Sequence, residues 1–302
     1  MGITKRNIKK WFLMLTGKSV FHVNQTLGKY FSNNELCGYF NSMIEKVTKQ
    51  PEFLKEGILP SYKNSKGEDF VFPVAVIQYG LGCYDLYLET NDDVYLKKTF
   101  ECADWILSIQ RNDGGIPNFI DEHKDEPFGA MCQGEAASLL LRCYLKSNKK
   151  DYLIHAKTAL DFMLVDKANG GTSIYSDNKI VLLEFTFSEP VLNGWIFAFF
   201  GIFDYLLIQK DDHYLNIYEK AFDTIVDALP SFDCGYWSMY DLSGRIASPF
   251  YHRLHIAQLE AIYLISNNDI VLKYLSKWKK CSKNPFKKIR AFMRKAFQKI
   301  RD

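Results

Sequence analysis

The segment YDLSGRIASPFYHRLHIAQLE, residues 240 to 260, sets Tyr240, Tyr251, His252, His255, Arg245 and Arg253 within one short reach, just before an apolar helical pattern. A phenol in water ionises near pH ~10 and is a poor base. Among cations its anion is stabilised and its pKa falls toward the working range. The cluster therefore reads either as an ordinary helix entry or as a site that moves a proton under a positive field. His252 and His255 form HxxH, but without the flanking acid of a metalloprotease and without an evident third ligand. Substrate contact or a helix-start hydrogen bond is expected of them, and no metal. Two further segments bring polar groups to helix heads: FTFSEPVLNGWIFAFFGIFDY follows Glu184 and carries Glu189 and Asn193, and EPFGAMCQGEAASLLLRCYL carries Gln133. Each residue alone reads as a cap or a packing contact. Together they put acids, amides, phenols and guanidinium groups at matching ends of successive helices. No G-x-S-x-G, P-loop or dinucleotide fingerprint is present, so no cofactor is expected. Paired acids for glycoside hydrolysis stay open, because their separation is not visible in a sequence.

The elements that must position these groups repeat. LYLETNDDVYLKKTFECADWILSIQRNDGGIP, CYLKSNKKDYLIHAKTALDFMLVDKANGGTSIY and YLLIQKDDHYLNIYEKAFDTIVDALPSFDCGYW share one plan. An apolar helix end passes through a polar turn to a Tyr-Leu pair (Tyr95-Leu96, Tyr152-Leu153, Tyr214-Leu215), then a second amphipathic helix, then a glycine turn. The period is roughly 55 to 65 residues, enough for two helices and their connections. Asp92-Asp93 and Asp211-Asp212 stand where carboxylates cap helix starts. Gly114, Gly170 and Gly235 are placed to supply left-handed stops for the second helices. One hairpin cannot bury its apolar face alone, so several must stack. The pattern predicts an all-α chain, an α/α toroid of the incomplete (α/α)6 type built from repeated hairpins, with the site in the turns at its mouth. A HEAT-like solenoid fits less well, since its repeats are more uniform. Residues 1–70 read as an N-terminal segment packed on the toroid, 71–280 as the toroid, and 281–302 as a separate C-terminal helix.

Aromatic residues make up 15% of the chain, with 18 Tyr and 23 Phe, which suits stacking platforms in a sugar cleft as well as a bulky helical core. A net charge of +3 gives no ground for nucleic-acid binding. The seven cysteines form no CxxC and mostly sit in apolar patterns, as buried thiols of a reducing compartment do. The basic N-terminus carries WFLML, too short for a signal-peptide core, and the longest apolar run is broken by Asp204. A cytoplasmic protein is expected. From Pro285, the run PFKKIRAFMRKAFQKIRD sets Phe286, Ile289, Phe292, Met293, Ala296, Phe297 and Ile300 on one helical face, with seven Lys and Arg residues on the other. Such a helix either lies in the headgroup layer of an anionic membrane, here the inner face, or packs its apolar side on the protein.

The motifs QYGLGCYDLYL, DWILSIQRNDGGIP, AMCQGEAASLLLRCYL, SEPVLNGWIFAFFGIFDY, MYDL and YHRLHIAQL, in that order over residues 72 to 278, resemble the C-terminal catalytic domain of the D-glucuronyl C5-epimerases. The resemblance implies an α/α toroid with a glycan cleft and conversion of glucuronate to iduronate in heparosan-type chains. It implies that Tyr251 is the catalytic tyrosine, Tyr240 a second active-site tyrosine and Glu184 the catalytic glutamate. Phe185 stands where the family has tyrosine, Ser243 where it has arginine, and the interval from Tyr240 to Tyr251 is shorter than in the animal enzymes.

Removing the proton on carbon 5 of a uronate builds a second negative charge beside the carboxylate, so positioned donors or cations must neutralise it. Glu184 and Tyr251 are expected as opposed acid and base. Arg245 or Arg253 is expected to hold the substrate carboxylate and to lower the Tyr251 pKa. Asn193, Gln133, His252 and His255 complete the expected substrate contacts, and the substrate is an acidic polysaccharide or lipid-linked glycan. The same carbanion can expel the substituent on carbon 4, which makes a uronate lyase the first alternative. A catalytically silent glycan-binding protein is the second.

Overall fold

Each repeat folds as a pair of antiparallel helices in the computed structural model, which describes residues 19–20, 22–63, 67–118, 125 and 127–301. The basic N-terminus with WFLML therefore lies outside the described residues. A short helix α1 (Ile44–Thr48) and a two-stranded antiparallel ribbon, β1 (Ser61–Lys63) and β2 (Asp69–Val71), come first. Four hairpins follow: α2 (Pro73–Thr90) with α3 (Asp93–Ile109), α4 (Ala130–Ser147) with α5 (Lys150–Met163), α6 (Leu192–Ile208) with α7 (Asp212–Ala228), and α8 (Pro249–Ser266) with α9 (Asp269–Lys283). A second ribbon, β3 (Ser173–Ser176) and β4 (Lys179–Leu182), interrupts the series, and α10 (Pro285–Arg301) ends it.

Two kinds of helix alternate, and their composition decides which layer each occupies. The first of each pair is apolar nearly all round; α6 is buried from Leu192 to Tyr205 without a break. The second is amphipathic; α7 buries only Tyr214, Ile217, Ala221, Thr224, Ile225 and Val226. A helix without a polar face belongs inside, one with a single apolar stripe outside. Accordingly α2, α4, α6 and α8 pack in sequence as an inner arc, and α3, α5, α7 and α9 cover it. This is the α/α toroid architecture that the hairpin repeat predicts. No described helix is long and apolar enough to cross a membrane. All seven cysteines are free thiols, five of them buried.

The helix starts follow the expected caps. Asp92 accepts from the Val94 amide at 3.0 Å, and Asp211 accepts from His213 and Tyr214. The stops do not. Left-handed caps fall on the inner helices and are asparagines, Asn91, Asn148 and Asn267, at φ 56, 56 and 50. Asparagine tolerates this conformation through its short polar side chain. Gly114, Gly170 and Gly235 do have positive φ, but they lie beyond the outer-helix ends, in the turns that follow.

Two contacts set the spacing of the layers. Inner helices α4 and α6 touch through backbone: a Cβ on Gly201 would meet Gly134 Cα at 2.6 Å, and one on Gly134 would meet Ala198 Cα at 2.6 Å. In the outer layer the tyrosines of the second and third hairpins each donate to an aspartate of the preceding one, Tyr152 to Asp104 at 2.6 Å and Tyr214 to Asp161 at 2.7 Å. These are the repeat tyrosines; the fourth hairpin carries Val271 at that position and lacks the link.

Residues 22–43 run across the concave side of the arc. The Tyr39 amide donates to Asp85 of α2, Phe40 stacks on Phe200 of α6 at 3.6 Å, and Asn33 donates to Leu264 of α8. Arg142 of α4 is the clamp. Wholly buried, it pairs with Asp204 at 2.6 Å and donates to the carbonyls of Cys37 and Gly38. Gly201→Val should force α4 and α6 apart and cost about 1–3 kcal/mol of stability. A urea melt with an unchanged midpoint would show that the backbone contact is not needed.

Candidate functional site

Glu184 lies two residues beyond β4, and hydrogen bonds of the intervening Leu183 fix the backbone that leads into it. Leu183 donates to Thr172 and accepts from the Ala130 amide at the head of α4, at 2.9 and 2.7 Å. The glutamate side chain lies over the first turn of α6. Asn193 donates to its Oε2 at 3.3 Å, and a Cβ on Gly194 would strike the same oxygen at 2.2 Å. Glycine at 194 thus leaves the space that the carboxyl occupies. Burial pushes the Glu184 pKa up to about 8, opposed by the Gly194 amide and the Asn193 side chain.

Tyr240 comes from a turn organised by one buried acid. Asp241 accepts from Ser243 Oγ at 2.7 Å and from the amides of Ser243 and Arg245, and it ion-pairs with the Arg245 guanidinium. The turn is joined to α6 by the Leu192 amide, which donates to Tyr240 O at 3.1 Å. Tyr251 sits in the first turn of α8, which starts at Ser248 and Pro249. The two phenol rings meet at 4.8 Å between centroids, and His22 lies edge-on to Tyr251 at 6.0 Å. Burial first, and then the charge of Glu184, push both phenols above the ordinary value. The structure thus brings Glu184, Asn193, Tyr240 and Tyr251 together.

The expected positive field is arranged differently. Arg253 points to solvent and does not lower the Tyr251 pKa; burial and the neighbouring acid raise it instead. Arg245 lies over the Tyr240 ring at 5.8 Å, and Lys295 of α10 lies over the same ring at 5.5 Å. Lys295 escaped the sequence reading because nothing in the chain marks where α10 docks.

Three expected substrate contacts have structural partners. Gln133 is wholly buried and bonds the amide and carbonyl of Ile116, at 3.0 and 2.8 Å, holding the loop after α3. His252 and His255 face the seam between α8 and α9. Ser238 N–H donates to His252 Nδ1, which makes Nε2 the protonated nitrogen of His252, directed at Trp278 O. The Ser238 hydroxyl then bridges His255 Nδ1 and His252 Nδ1, at 2.9 and 2.8 Å. Burial lowers the His252 pKa to about 3, and His255 falls with it. Both rings are neutral parts of the core. No group of three or more His, Cys, Asp or Glu side chains among the described residues is placed to hold a metal.

A second buried carboxyl was missed. Glu135, one turn into α4, accepts from Gln78 at 3.2 and 3.1 Å and from Tyr39 at 3.4 Å. Burial pushes its pKa up to about 8, and the charge of Glu184 adds to the rise. Buried Lys46, with its pKa lowered to about 8 by desolvation, feels the same acid. The only signal was an acid among the small residues of QGEAAS. A surface hollow of about 410 Å³ lies elsewhere, on the outer layer between α5, α7 and the second ribbon.

The family described as D-glucuronyl C5-epimerase C-terminus matches residues 118–280, more than half of the chain. The chain belongs to this family. Glu184, Tyr240 and Tyr251 fall inside the matched region; Tyr39 and Lys46 fall outside it. An uncharacterised protein of Methanocaldococcus jannaschii is 31% identical over 157 residues, which cover 50% of this chain and 51% of that protein. The chain thus aligns with about half the length of this relative. Among solved structures, an unsaturated glucuronyl hydrolase from Bacillus sp. GL1 superposes with a TM-score of 0.50 at 13% identity, over 82% of this chain and 66% of that one. The unsaturated glucuronyl hydrolase of Streptococcus agalactiae gives 0.50 at 14% identity, over 82% and 63%. At such identity these two likenesses speak to the toroid alone.

A carboxyl whose pKa rises on folding binds its proton more tightly in the folded chain, so stability falls as pH climbs from about 4 toward 8. Glu184→Gln removes one such group. Relative to the parent it should gain stability at about pH 8.5 compared with about pH 5 in denaturant melts. A variant that loses more at the higher pH would place the ionised form of Glu184 in a stabilising contact.

Proposed function

We propose that the chain is an epimerase that inverts carbon 5 of D-glucuronate residues to L-iduronate within an acidic polysaccharide such as a heparosan-like surface glycan. The observation that carries this reading is the meeting of one desolvated carboxyl, Glu184, with two phenols, Tyr240 and Tyr251, in a chain of this family.

The directions of the pKa shifts support one division of roles. With a pKa near 8, Glu184 is a far stronger base than an ordinary carboxylate and is still partly ionised at neutral pH. Tyr251 is held neutral and is the proton donor. The Glu184 carboxylate takes the proton from carbon 5, and the C–H electron pair delocalises onto the uronate carboxylate. Carbon 5 then takes the Tyr251 hydroxyl proton on its other face, leaving Glu184 protonated and Tyr251 as phenolate. Exchange with water restores both groups, and Tyr240, hydrogen-bonded to Tyr251, stabilises the phenolate. Arg245 and Lys295, both over the Tyr240 ring, supply positive charge for the substrate carboxylate.

In heavy water with uronate polymers, the wild-type chain should place deuterium at carbon 5. Tyr251→Phe should abolish formation of deuterated iduronate, and Glu184→Gln should slow deuterium uptake at least about 100-fold. Ultraviolet-absorbing unsaturated ends would replace the epimerase reading with a lyase; polymer binding without exchange would make the chain a silent glycan binder. Because the ionised form of Glu184 is the base, kcat/KM should rise with pH and level off above about 8. A rate that falls between pH 6 and 8 would exclude Glu184 as the base.

A further inference from the structure

Helix α10 packs in the opposite sense to an ordinary surface helix. The side turned to the protein is polar or small. Ala291 is buried, Gln298 donates to Gly244 O at 2.9 Å and accepts from the Ile246 amide at 2.9 Å, and the Arg290 guanidinium lies over the Tyr236 ring at 4.0 Å. Together with Lys295 these contacts fix the rotation of the helix against the turn that carries Tyr240. The apolar stripe is left facing outward: Phe286 is 81% exposed, Ile289 62%, Met293 50% and Phe297 62%. Exposing a row of large apolar side chains to water is unfavourable and marks a contact surface.

Charge identifies the occupant. The helix carries seven Lys and Arg residues and no acid. Lys288 and Lys299 are exposed along one border of the apolar stripe. Long basic side chains beside an apolar stripe can bury their stems and reach anionic headgroups while the stripe enters the acyl boundary. We propose that α10 is a docking surface for an anionic lipid bilayer, inserting Phe286, Ile289, Met293 and Phe297. The helix is anchored by its polar side, so docking brings the Tyr240 turn close to the bilayer and needs no detachment of α10.

The test is co-sedimentation of the full chain with vesicles of phosphatidylcholine alone and of phosphatidylcholine with phosphatidylglycerol. The wild-type chain should bind the anionic vesicles, weakly or not at all the neutral ones, and less tightly as salt is raised. The joint substitution Phe286→Ser, Ile289→Ser, Met293→Ser and Phe297→Ser should weaken binding at least about ten-fold with circular dichroism unchanged, since each side chain is exposed. Lys288→Glu with Lys299→Glu should weaken it while leaving the stripe intact. The proposal is overturned if the wild-type chain does not bind anionic vesicles, or if the serine variant binds as well as the parent. It is equally overturned if binding appears only after residues 1–18 are removed, or if light scattering shows a dimer that the serine substitutions dissociate. None of these outcomes bears on the chemistry at carbon 5, which is read separately from deuterium uptake.

Discussion

A carboxyl group withdrawn from water holds its proton, and the concave side of this toroid withdraws three. Burial pushes Asp85 up to about 7 and Glu135 and Glu184 to about 8, while Lys46 is lowered to about 8. Full ionisation of these acids inside a low-dielectric arc would be costly and would repel a polyanion. Glu135 and Glu184, both raised above neutrality, line the interior without a strong negative field. For the acidic polymer proposed as substrate, this allows a uronate to approach a group that becomes a base when it loses its proton.

The same desolvation requires precise packing. Residues 22–43 close the concave side, and Arg142 secures them by donating to Cys37 and Gly38 while paired with Asp204. A buried pair of this kind is strongly destabilising to break from one side, because the remaining charge has no partner. Tyr39, brought in by this segment, reaches Glu135, so the electrostatics of the interior depend on chain far from the helices in sequence. The glycines at 134, 201 and 194 act in the same direction, the first two by allowing α4 and α6 to touch and the third by admitting the Glu184 side chain.

The toroid was legible because the helical hairpin repeats, and a hairpin that cannot bury its apolar face alone must stack on its neighbours; which helix of each pair lies inside emerged from the structure, where one is apolar nearly all round and the other striped. Glu184, Tyr240 and Tyr251 were legible through ordered motifs that resemble a family. Glu135, Tyr39, Lys46 and Lys295 were not, because each acts through a neighbour dozens of residues away. His252 and His255 were misassigned for a related reason. At a helix start, HxxH looks the same whether it faces a cleft or the seam with the next helix, and Ser238, which decides the matter, lies outside the motif. The Tyr251 shift was expected downward from nearby cations, but Arg253 is exposed, and burial followed by the charge of Glu184 raises it. The glycine stops were misplaced because asparagine fills the left-handed caps, and a single asparagine carries a weaker signal than a glycine pair.

The tyrosine-to-aspartate links of the outer layer join the first three hairpins and stop at Val271. The fourth hairpin is fastened in another way: Gln258 of α8 donates to the Asn193 carbonyl of α6, and Lys277 and Trp278 of α9 both bond Asp233, just past the turn that follows α7. Asn193 and Gly194 also frame the Glu184 carboxyl. The acid and the helix that bears its phenolic counterpart are thus both referenced to one turn of α6, which gives the pair a common foundation that does not run through the outer layer.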